Sequence, residues 1–429
     1  MARLFKAPLQ VDVTTLHDGG YGLSGDSRIA VLGALPGERL TALPFSRRRK
    51  KTYCRIESIE SASVDRVEPA CSVASVCGGC SLQHMEHRAQ IEFKQTGWLT
   101  NFVSPPENIL PPLLGPTINY RSKARLGARF VAKKGKVLVG FREKMKGFIT
   151  ETESCKTLRL PAGELLESLA EMLMELSDPQ SVPQIEVAIG DATTAFVIRH
   201  LCDFTDADLG ILRKFSEDHK VQIYLQPSDP ESVHRLCPDD GDEYLYYDLV
   251  DHDLRIFFTP LDFTQVNHGI NQSMVNLAIK LLAPGPDDEV LDAFCGIGNF
   301  SLAIARVVRH VTGLELSATS VGRAEYNAKT NGIENVTFLS RDLFTEQVAD
   351  LLEPVSHVLL DPPRTGAATL VKTLAESNVK RVVYVSCNPQ TLARDVEILV
   401  NGGYHFDRAG VIDMFPHTTH IESISLLSR

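Results

Sequence analysis

The chain has 429 residues, of which 43% are hydrophobic and 23% charged, and its formal net charge is −10. This composition is typical of a folded protein of two or three domains that buries sizeable cores. It contains no run of eighteen apolar residues, which excludes a helix that spans a membrane. Residues 1–8 lack the apolar segment of a secretory signal. We therefore expect a cytoplasmic protein, whose nine cysteines serve as thiols or metal ligands rather than in disulfides.

Basic residues are concentrated in two segments of this acidic chain. Residues 41–55 hold six basic residues and no acidic one, and residues 119–149 hold ten basic residues against one acid. Such segments are the electrostatic footprint of contacts with nucleic-acid phosphates. A solvated surface gives the same pattern, so charge alone leaves both interpretations open.

The first 260 residues predict two domains. Short strand-like runs with glycine turns over residues 1–60 are typical of an OB-like β-barrel, a fold that often binds oligonucleotides. Residues 61–260 begin with three cysteines, continue with a helical segment at 85–103, and then carry strand-like runs around a helical 162–176. This irregular mixture predicts an α+β middle domain.

Residues 261–429 predict an α/β domain with a doubly wound parallel sheet, because strand-like and helical segments alternate. The predicted strands are 289–292, 310–314, 336–339, 357–360 and 381–385, and the first two intervening helices are 299–308 and 317–329.

A glycine-rich loop follows the first of these strands. Gly296 and Gly298 lie between the strand and a helix, where glycine lets the backbone approach a ligand. This pattern alone fits NAD, FAD and S-adenosylmethionine, although the third glycine of the dinucleotide fingerprint is replaced by Ser301. Glu315, Asp342 and Asp361 end the following strands, at the edge where ligands bind in such folds.

A cluster of cysteines lies at the start of the middle domain. Cys71, Cys77 and Cys80 lie within ten residues, and Cys155 is available as a fourth thiol. Four thiolates hold zinc or an iron–sulfur cluster, and the uneven spacing leaves the identity of the metal open.

Cys387 follows the fifth predicted strand and precedes Asn388 and Pro389, which end the strand. A cysteine at a strand end is usually inert, but this end opens on the same crevice as the glycine-rich loop. Glu422 follows thirty-five residues later. A thiolate that adds to carbon 6 of uracil makes carbon 5 nucleophilic, and a carboxylate then removes the hydrogen from carbon 5. An RNA base must leave its stack to meet both groups.

Four segments resemble the signature motifs of the RNA uracil-5-methyltransferases: residues 265–267, 291–300, 386–395 and 413–423. The resemblance covers nearly the whole chain, and the N-terminal barrel with a cysteine cluster is typical of the branch that modifies 23S ribosomal RNA. It implies a Rossmann-like S-adenosylmethionine methyltransferase domain, a TRAM-type barrel and a middle domain that carries a [4Fe-4S] cluster.

The resemblance also implies roles for individual residues. Cys387 matches the nucleophile and Glu422 the base. The cluster ligands are matched by Cys71, Cys77, Cys80 and Cys155. The S-adenosylmethionine pocket is matched by Gln265, Phe294, Asn299, Glu315, Asp342 and Asp361.

The implied substrate is a uridine of the U1939 type in 23S rRNA. We expect a monomer with no obligate protein partner and no membrane association. The segment 81–118 is expected to pack with the catalytic domain.

Other readings of the sequence remain open. The same chemistry on another 23S rRNA uridine or on a tRNA uridine differs only in substrate. An NAD-dependent oxidoreductase shares the glycine-rich loop but leaves Cys387 and Glu422 unexplained. Cytosine-5 methyltransferases are expected to have a Pro-Cys motif, and the spacing of Cys71, Cys77 and Cys80 is not that of a radical enzyme. A non-catalytic RNA-binding protein explains only the barrel and the basic segments.

Overall fold

The computed structural model describes residues 7–240, 243–345 and 348–429. Its N-terminal part is a closed five-stranded barrel with the strand order β1-β2-β3-β5-β4, which confirms the predicted barrel. Alternate residues of its strands, such as Val11 and Val13, are buried inside it. The first six residues of the predicted domain lie outside the described residues. The strands are β1 Leu9–His17, β2 Tyr21–Ser24, β3 Ile29–Leu32, β4 Arg39–Arg48 and β5 Lys51–Ser61.

A helix and a six-stranded sheet follow the barrel. The sheet has the order β12-β11-β10-β9-β7-β8, and α2 and α3 contribute to its core. The elements of this region are α1 His87–Leu99, β6 Asn108–Ile109, β7 Lys123–Val131, β8 Lys136–Gly140, α2 Leu166–Glu175, β9 Gln184–Ile189, β10 Thr194–Arg199, α3 Asp206–His219, β11 Gln222–Gln226 and β12 His234–Cys237.

The C-terminal part contains the predicted parallel sheet. Strands β15 to β19 are mutually parallel in the order β17-β16-β15-β18-β19, and β21 and β20 extend the sheet. Its elements are β13 Leu245–Leu249, β14 Leu254–Phe258, α4 His268–Leu282, β15 Glu289–Ala293, α5 Ser301–Ala305, β16 His310–Glu315, α6 Ala318–Thr330, β17 Val336–Ser340, α7 Ala349–Leu352, β18 His357–Leu360, α8 Ala368–Glu376, β19 Arg381–Ser386, α9 Pro389–Asn401, β20 His405–Ile412 and β21 Glu422–Ser428.

The central strands were readable from sequence because helices cover both faces of the sheet. All four residues of β18 and the last five of β19 are buried, so these strands are continuous apolar runs. The domain is therefore Rossmann-like, as predicted. In the described part of the chain, three short 3-10 helices lie outside the sheets: Ala162–Glu164, Pro230–Ser232 and Val250–His252.

Segments from before residue 261 pack with the C-terminal sheet. Ile91 and Trp98 of α1 belong to the same apolar core as β18 and β19. Strand β6 pairs with β20 at the edge of the sheet, and the hairpin of β13 and β14 is buried against α4 and β15. The domain boundary at residue 261 stays a prediction. Among the described residues, no helix has the length and apolarity to cross a membrane.

Candidate active site

A cavity of about 540 Å³ opens at the carboxyl ends of the parallel strands. Its size is in the range of small-molecule sites. Of the eight residues predicted for catalysis and cofactor binding, seven line it, namely Gln265, Phe294, Asn299, Glu315, Asp361, Cys387 and Glu422.

Strand pairing brings Cys387 and Glu422 together. Strands β19 and β21 are antiparallel, and Ser386 lies opposite Ser423 at the end of the ladder. Cys387 directly follows Ser386 in the chain, and Glu422 directly precedes Ser423. The two side chains therefore enter the cavity from neighbouring strands although thirty-five residues separate them.

The loop after Cys387 is held in place by its own polar groups. The Asn388 side chain accepts a hydrogen bond from the backbone N–H of Gln390 at 3.1 Å and thereby caps α9, whose first residue is Pro389. The Asn388 amide also donates to the carbonyl of Arg364 at 2.8 Å. This contact joins the loops that follow β18 and β19.

Burial gives the acids of the cavity unusual proton affinities. Burial, followed by the charge of Asp361, raises the pKa of Glu422 well above its ordinary value, while Arg364 acts in the opposite direction. Burial likewise raises the pKa of Asp361 to about 7, although Gln265 donates to it at 3.4 Å. Burial, then Glu422 and Asp361, raise the pKa of the Cys387 thiol to about 11. In the ligand-free protein these groups thus favour their neutral forms.

The glycine-rich loop turns tightly under the cavity. Phe294, Gly296 and Gly298 all have positive φ, of 66°, 56° and 92°. The backbone N–H of Gly296 donates to the Glu315 carboxylate at 3.2 Å, and that carboxylate also accepts from the N–H of Ser317 at 2.9 Å. Glu315 therefore fixes the loop while it lines the cavity.

Asn299 and Asp342 are placed differently from the other predicted cofactor residues. The Asn299 amide lines the cavity but exchanges hydrogen bonds with Asn271 at 2.8 and 2.9 Å and accepts from the Tyr247 hydroxyl at 2.9 Å. Asp342 does not line the cavity. Its carboxylate accepts from the N–H of Phe344 at 3.0 Å and from the Thr345 hydroxyl at 2.7 Å.

Several lining residues were not singled out from the sequence. Phe263, Phe344 and Phe415 contribute aromatic surface, and Phe263 is 74% exposed at the cavity. Phe263 lies two residues before Gln265, and Phe344 lies two residues after Asp342. This proximity to residues predicted for the cofactor pocket is the signal in the sequence that could have identified them. Asp292, buried beneath the loop, has a pKa raised to about 7 by burial, and its Oδ1 has no hydrogen-bond partner.

The four cysteines of the predicted cluster face one small cavity, separate from the site of Cys387. Cys71, Cys77, Cys80 and Cys155 all line a space of about 20 Å³. Among the described residues, however, no group of three or more His, Cys, Asp or Glu side chains converges in metal-ligand geometry. The two findings are compatible. Side chains can line one cavity while they lie several ångströms apart, whereas a cysteine sulfur that coordinates zinc lies about 2.3 Å from the metal.

The two basic segments border a third cavity, of about 580 Å³, between the barrel and the six-stranded sheet. Tyr53, Arg142 and Lys144 line it, and the Arg48 guanidinium donates to the carbonyl of Met145 at 3.3 Å, which connects the two segments. Some of the predicted cations already have acidic partners within the chain; these pairs are Arg125–Glu186, Lys134–Glu151, Lys136–Glu151 and Lys146–Glu143.

Comparison with known proteins gives consistent results. The family model described as tRNA (uracil-5-)-methyltransferase matches residues 242–429. The chain is 43% identical to the 23S rRNA (uracil(1939)-C(5))-methyltransferase RlmD of Hahella chejuensis over 100% of this chain and 98% of that protein. It is 44% identical to the protein of the same name from Burkholderia thailandensis over 99% of this chain and 96% of that protein.

A solved structure has the same fold. The Pyrococcus abyssi tRNA (uracil-54, C5)-methyltransferase, in complex with S-adenosyl-L-homocysteine, superposes with a TM-score of 0.76 and 23% identity. The match covers 98% of this chain and 100% of that one.

The raised pKa of Asp361 predicts that Asp361→Asn stabilises the protein at high pH. The pKa is 3.8 for the ordinary side chain and about 7 in the fold, so between these values the folded state keeps a proton that the unfolded state loses. Wild-type stability therefore falls as the pH rises through this window. At pH 8 we expect the free energy of unfolding of Asp361→Asn to exceed that of the wild type by roughly 1–4 kcal/mol, so that the variant unfolds at a higher temperature. Near pH 4 we expect little difference between the two proteins.

Calorimetric melting at both pH values checks this expectation. Asp287→Asn, at an exposed position of the same domain, is the matched control and should leave the melting temperature unchanged at both. An equal effect of Asp361→Asn at pH 4 and pH 8 would contradict the assigned shift.

Proposed function

This chain belongs to the family of S-adenosylmethionine-dependent 23S rRNA uracil-C5 methyltransferases, and we propose that it methylates carbon 5 of a U1939-type uridine in 23S rRNA. The observation that carries the proposal is the convergence of Cys387 and Glu422 on the cavity beneath which the glycine-rich loop turns. A nucleophile, a carboxylate and a cofactor loop at one site are the groups that this reaction requires.

The residues around the glycine-rich loop fit S-adenosylmethionine. Bound there, the cofactor supplies an electrophilic methyl group on a sulfonium. Glu315 ends β16 and is placed to accept hydrogen bonds from the ribose, while Phe294 and Phe344 offer apolar surface to the adenine. Gln265 and Asp361 lie at the boundary between cofactor and uracil. Asn299 supports this pocket through its bonds to Asn271 and Tyr247. Asp342, whose carboxylate caps its own turn, shapes the adenine side from outside the cavity.

The reaction uses Cys387 first. Its thiolate adds to carbon 6 of a flipped uracil and forms a C–S bond, and the electron pair of the 5,6 double bond makes carbon 5 nucleophilic. Carbon 5 would then take the methyl group, while the electron pair of the broken bond between sulfur and the methyl carbon stays on sulfur, leaving a neutral thioether. The Glu422 carboxylate removes the remaining hydrogen of carbon 5 as a proton, the C–H electron pair restores the double bond, and the Cys387 thiolate leaves.

The electrostatics of the cavity support this order. The charges of Glu422 and Asp361 oppose ionisation of Cys387, so the thiolate is favoured while the carboxyls are neutral. Addition to uracil removes the negative charge from sulfur. Once the methyl group has been transferred, the ring is neutral, and ionisation of Glu422 no longer meets a charged neighbour at Cys387. Glu422 then releases its own proton to solvent and, as a carboxylate, accepts the proton of carbon 5.

The cleft between the barrel and the six-stranded sheet is proposed to contact the RNA backbone. Arg142 and Lys144 supply positive charge, and Tyr21 and Tyr53, with ring centroids 5.7 Å apart, supply stacking surfaces. Cationic grooves with aromatic side chains bind unpaired RNA segments.

We also propose that Cys71, Cys77, Cys80 and Cys155 hold a [4Fe-4S] cluster. The support is that four thiols and no carboxylate face one cavity, and thiolate donors suit iron–sulfur clusters. Two of the four sulfur atoms also accept hydrogen bonds. The Gln83 amide donates to Cys80 Sγ at 3.2 Å, and the Gly79 N–H donates to Cys77 Sγ at 3.4 Å.

A tRNA uridine is the alternative substrate, favoured by the description of the family model and by the structural neighbour from Pyrococcus abyssi. Mapping of methylated uridines in a deletion strain distinguishes the two. We expect one 23S rRNA uridine to lose its methyl group and tRNA methylation to stay unchanged. Loss confined to a tRNA uridine would transfer the proposal to that substrate.

Cys387→Ala and Glu422→Gln are expected to stop the reaction at different stages. Cys387→Ala should form no covalent complex with RNA, because no thiolate attacks carbon 6. Glu422→Gln should accumulate a complex that contains the transferred methyl group, because the amide cannot accept the proton from carbon 5.

Denaturing gel electrophoresis with methyl-labelled S-adenosylmethionine measures both complexes. Turnover should fall at least about a thousandfold in each variant. Cys237→Ala, which removes a buried thiol outside this cavity, is the control and should retain turnover and form no stable complex. A labelled complex in Cys387→Ala would place the nucleophile elsewhere.

Cys80→Ser is expected to lose the cluster. Protein purified without oxygen should contain about four iron atoms per chain, and the variant should lose most of its iron, sulfide and visible absorption. Cys202→Ser, at an exposed cysteine outside the four, is the matched control. Iron-free wild-type protein, or equal iron in Cys80→Ser, would contradict the proposal.

A further inference from the structure

We propose that residues 81–120 position the hairpin that ends on the general base, with Lys94 and Gln90 as its positioning residues. The hairpin is the segment 413–421, which joins β20 to β21 and leads directly into Glu422. The proposal rests on the proposed function of Glu422 and adds a role for residues outside the methyltransferase domain.

The hairpin carries cavity residues but has little regular structure. Phe415, His420 and Ile421 all line the cavity beside Glu422. Residues 413–421 contain no helix or strand, and His417 adopts a positive φ of 64°. For a non-glycine residue this conformation persists only where the surroundings enforce it.

A buried ion pair holds the start of the hairpin. Lys94 of α1 donates to Asp413 Oδ1 at 2.6 Å and to the carbonyl of Phe415 at 3.0 Å, and the two charged side chains are 1% and 0% exposed. His87 Nε2 lies 2.8 Å from the other oxygen of Asp413. Removal of one partner from such a pair leaves a buried charge unbalanced, so this geometry is strongly enforced.

Gln90, one turn earlier on α1, holds the middle of the hairpin. Its side-chain carbonyl accepts from the backbone N–H of His417 at 3.0 Å, and its amide nitrogen lies 3.3 Å from His417 Nδ1. The amide also donates to the carbonyl of Met85 at 2.8 Å. Gln90 is 1% exposed. This buried amide therefore contributes to holding the unusual backbone of His417.

The loop that follows Cys80 holds the same residue from the other side. The backbone N–H groups of Ser81 and Leu82 both donate to the carbonyl of His417 at 2.9 Å. The Ser81 hydroxyl accepts from the N–H of Thr419 at 3.2 Å. Because Ser81 directly follows a cysteine of the proposed cluster, the cluster loop and the hairpin are mechanically connected through these three hydrogen bonds.

Tyr120 completes the set, since its hydroxyl donates to the carbonyl of Pro416 at 3.0 Å. All of these contacts to the hairpin come from residues 81–120, whereas the family model matches residues 242–429. The hairpin that precedes the general base is therefore shaped by a segment far outside the methyltransferase region. A displacement of about 1 Å in a catalytic group is enough to slow a reaction on the order of a hundredfold.

The reaction order makes the consequence specific. Cys387 lies on a different loop, after β19, and none of these contacts reaches it. Loss of the positioning contacts should therefore spare attack on carbon 6 and methyl transfer, but slow the removal of the proton from carbon 5. The covalent, methylated enzyme–RNA complex should then accumulate on ordinary RNA.

The test compares Lys94→Met and Gln90→Leu with Arg88→Met in the full-length protein. Arg88 is a cation on the same helix, 81% exposed and paired with Glu92 at 3.4 Å. We measure turnover, the dissociation constant of S-adenosylmethionine, and the amount of methyl-labelled covalent complex on unmodified RNA. In both test variants we expect turnover to fall roughly 10- to 100-fold, cofactor affinity to change less than about twofold, and the labelled complex to rise several-fold. Arg88→Met should match the wild type.

Two results would overturn the proposal: wild-type turnover in both variants, or lower turnover without a rise in labelled complex. Gln90→Leu decides the matter if Lys94→Met fails to fold, because it introduces no unpaired charge. Failure of the proposed function is separately visible, since a wild-type protein that forms no complex with 5-fluorouridine RNA has no adduct chemistry for the hairpin to influence.

Discussion

The antiparallel pairing of β21 with β19 is the constraint on which the site depends. It inserts the last strand of the chain beside the strand that ends at Cys387, and its register brings Glu422 to the same end of the ladder. A shift of one residue would turn Glu422 to the other face of the sheet. The backbone hydrogen bonds between β19 and β21 thus bring Cys387 and Glu422 together, although these two side chains share no direct hydrogen bond in the described structure.

Burial is the second determinant, because it sets the protonation of the acids. Glu422 and Asp361 both lie in a cavity with apolar walls, where ionisation of either group opposes ionisation of the other and of Cys387. Groups coupled in this way respond together to any charge that enters or leaves the cavity. A cationic methyl donor adds positive charge to that environment, which favours the ionised forms.

The N-terminal half of the chain is structurally part of this site. Strand β6 extends the catalytic sheet, α1 contributes to its core, and the loop after Cys80 binds the hairpin before Glu422. The barrel approaches the same place, since there is no room for a side chain at Gly20 between Ser81 and Thr419. The barrel and the cavity are consequently joined by one continuous set of packed elements.

The sequence by itself determined the features that depend on local pattern. The buried parallel strands were visible as apolar runs, and the strand–glycine–helix loop, Cys387 and Glu422 were visible as motifs, because their chemistry requires particular residues at particular spacings. The barrel was readable from its short strand-like runs and glycine turns, and the four cysteines that line one cavity were readable as a group, whereas the cluster itself stays a prediction.

Only the tertiary structure decided the features that depend on distant partners. The Asn299 amide is bonded to Tyr247 and Asn271, and Lys94 is buried against Asp413. None of these pairings leaves a periodic signal, since residues far apart in the chain meet only when the core assembles. The same residue types would have been equally compatible with a solvated surface.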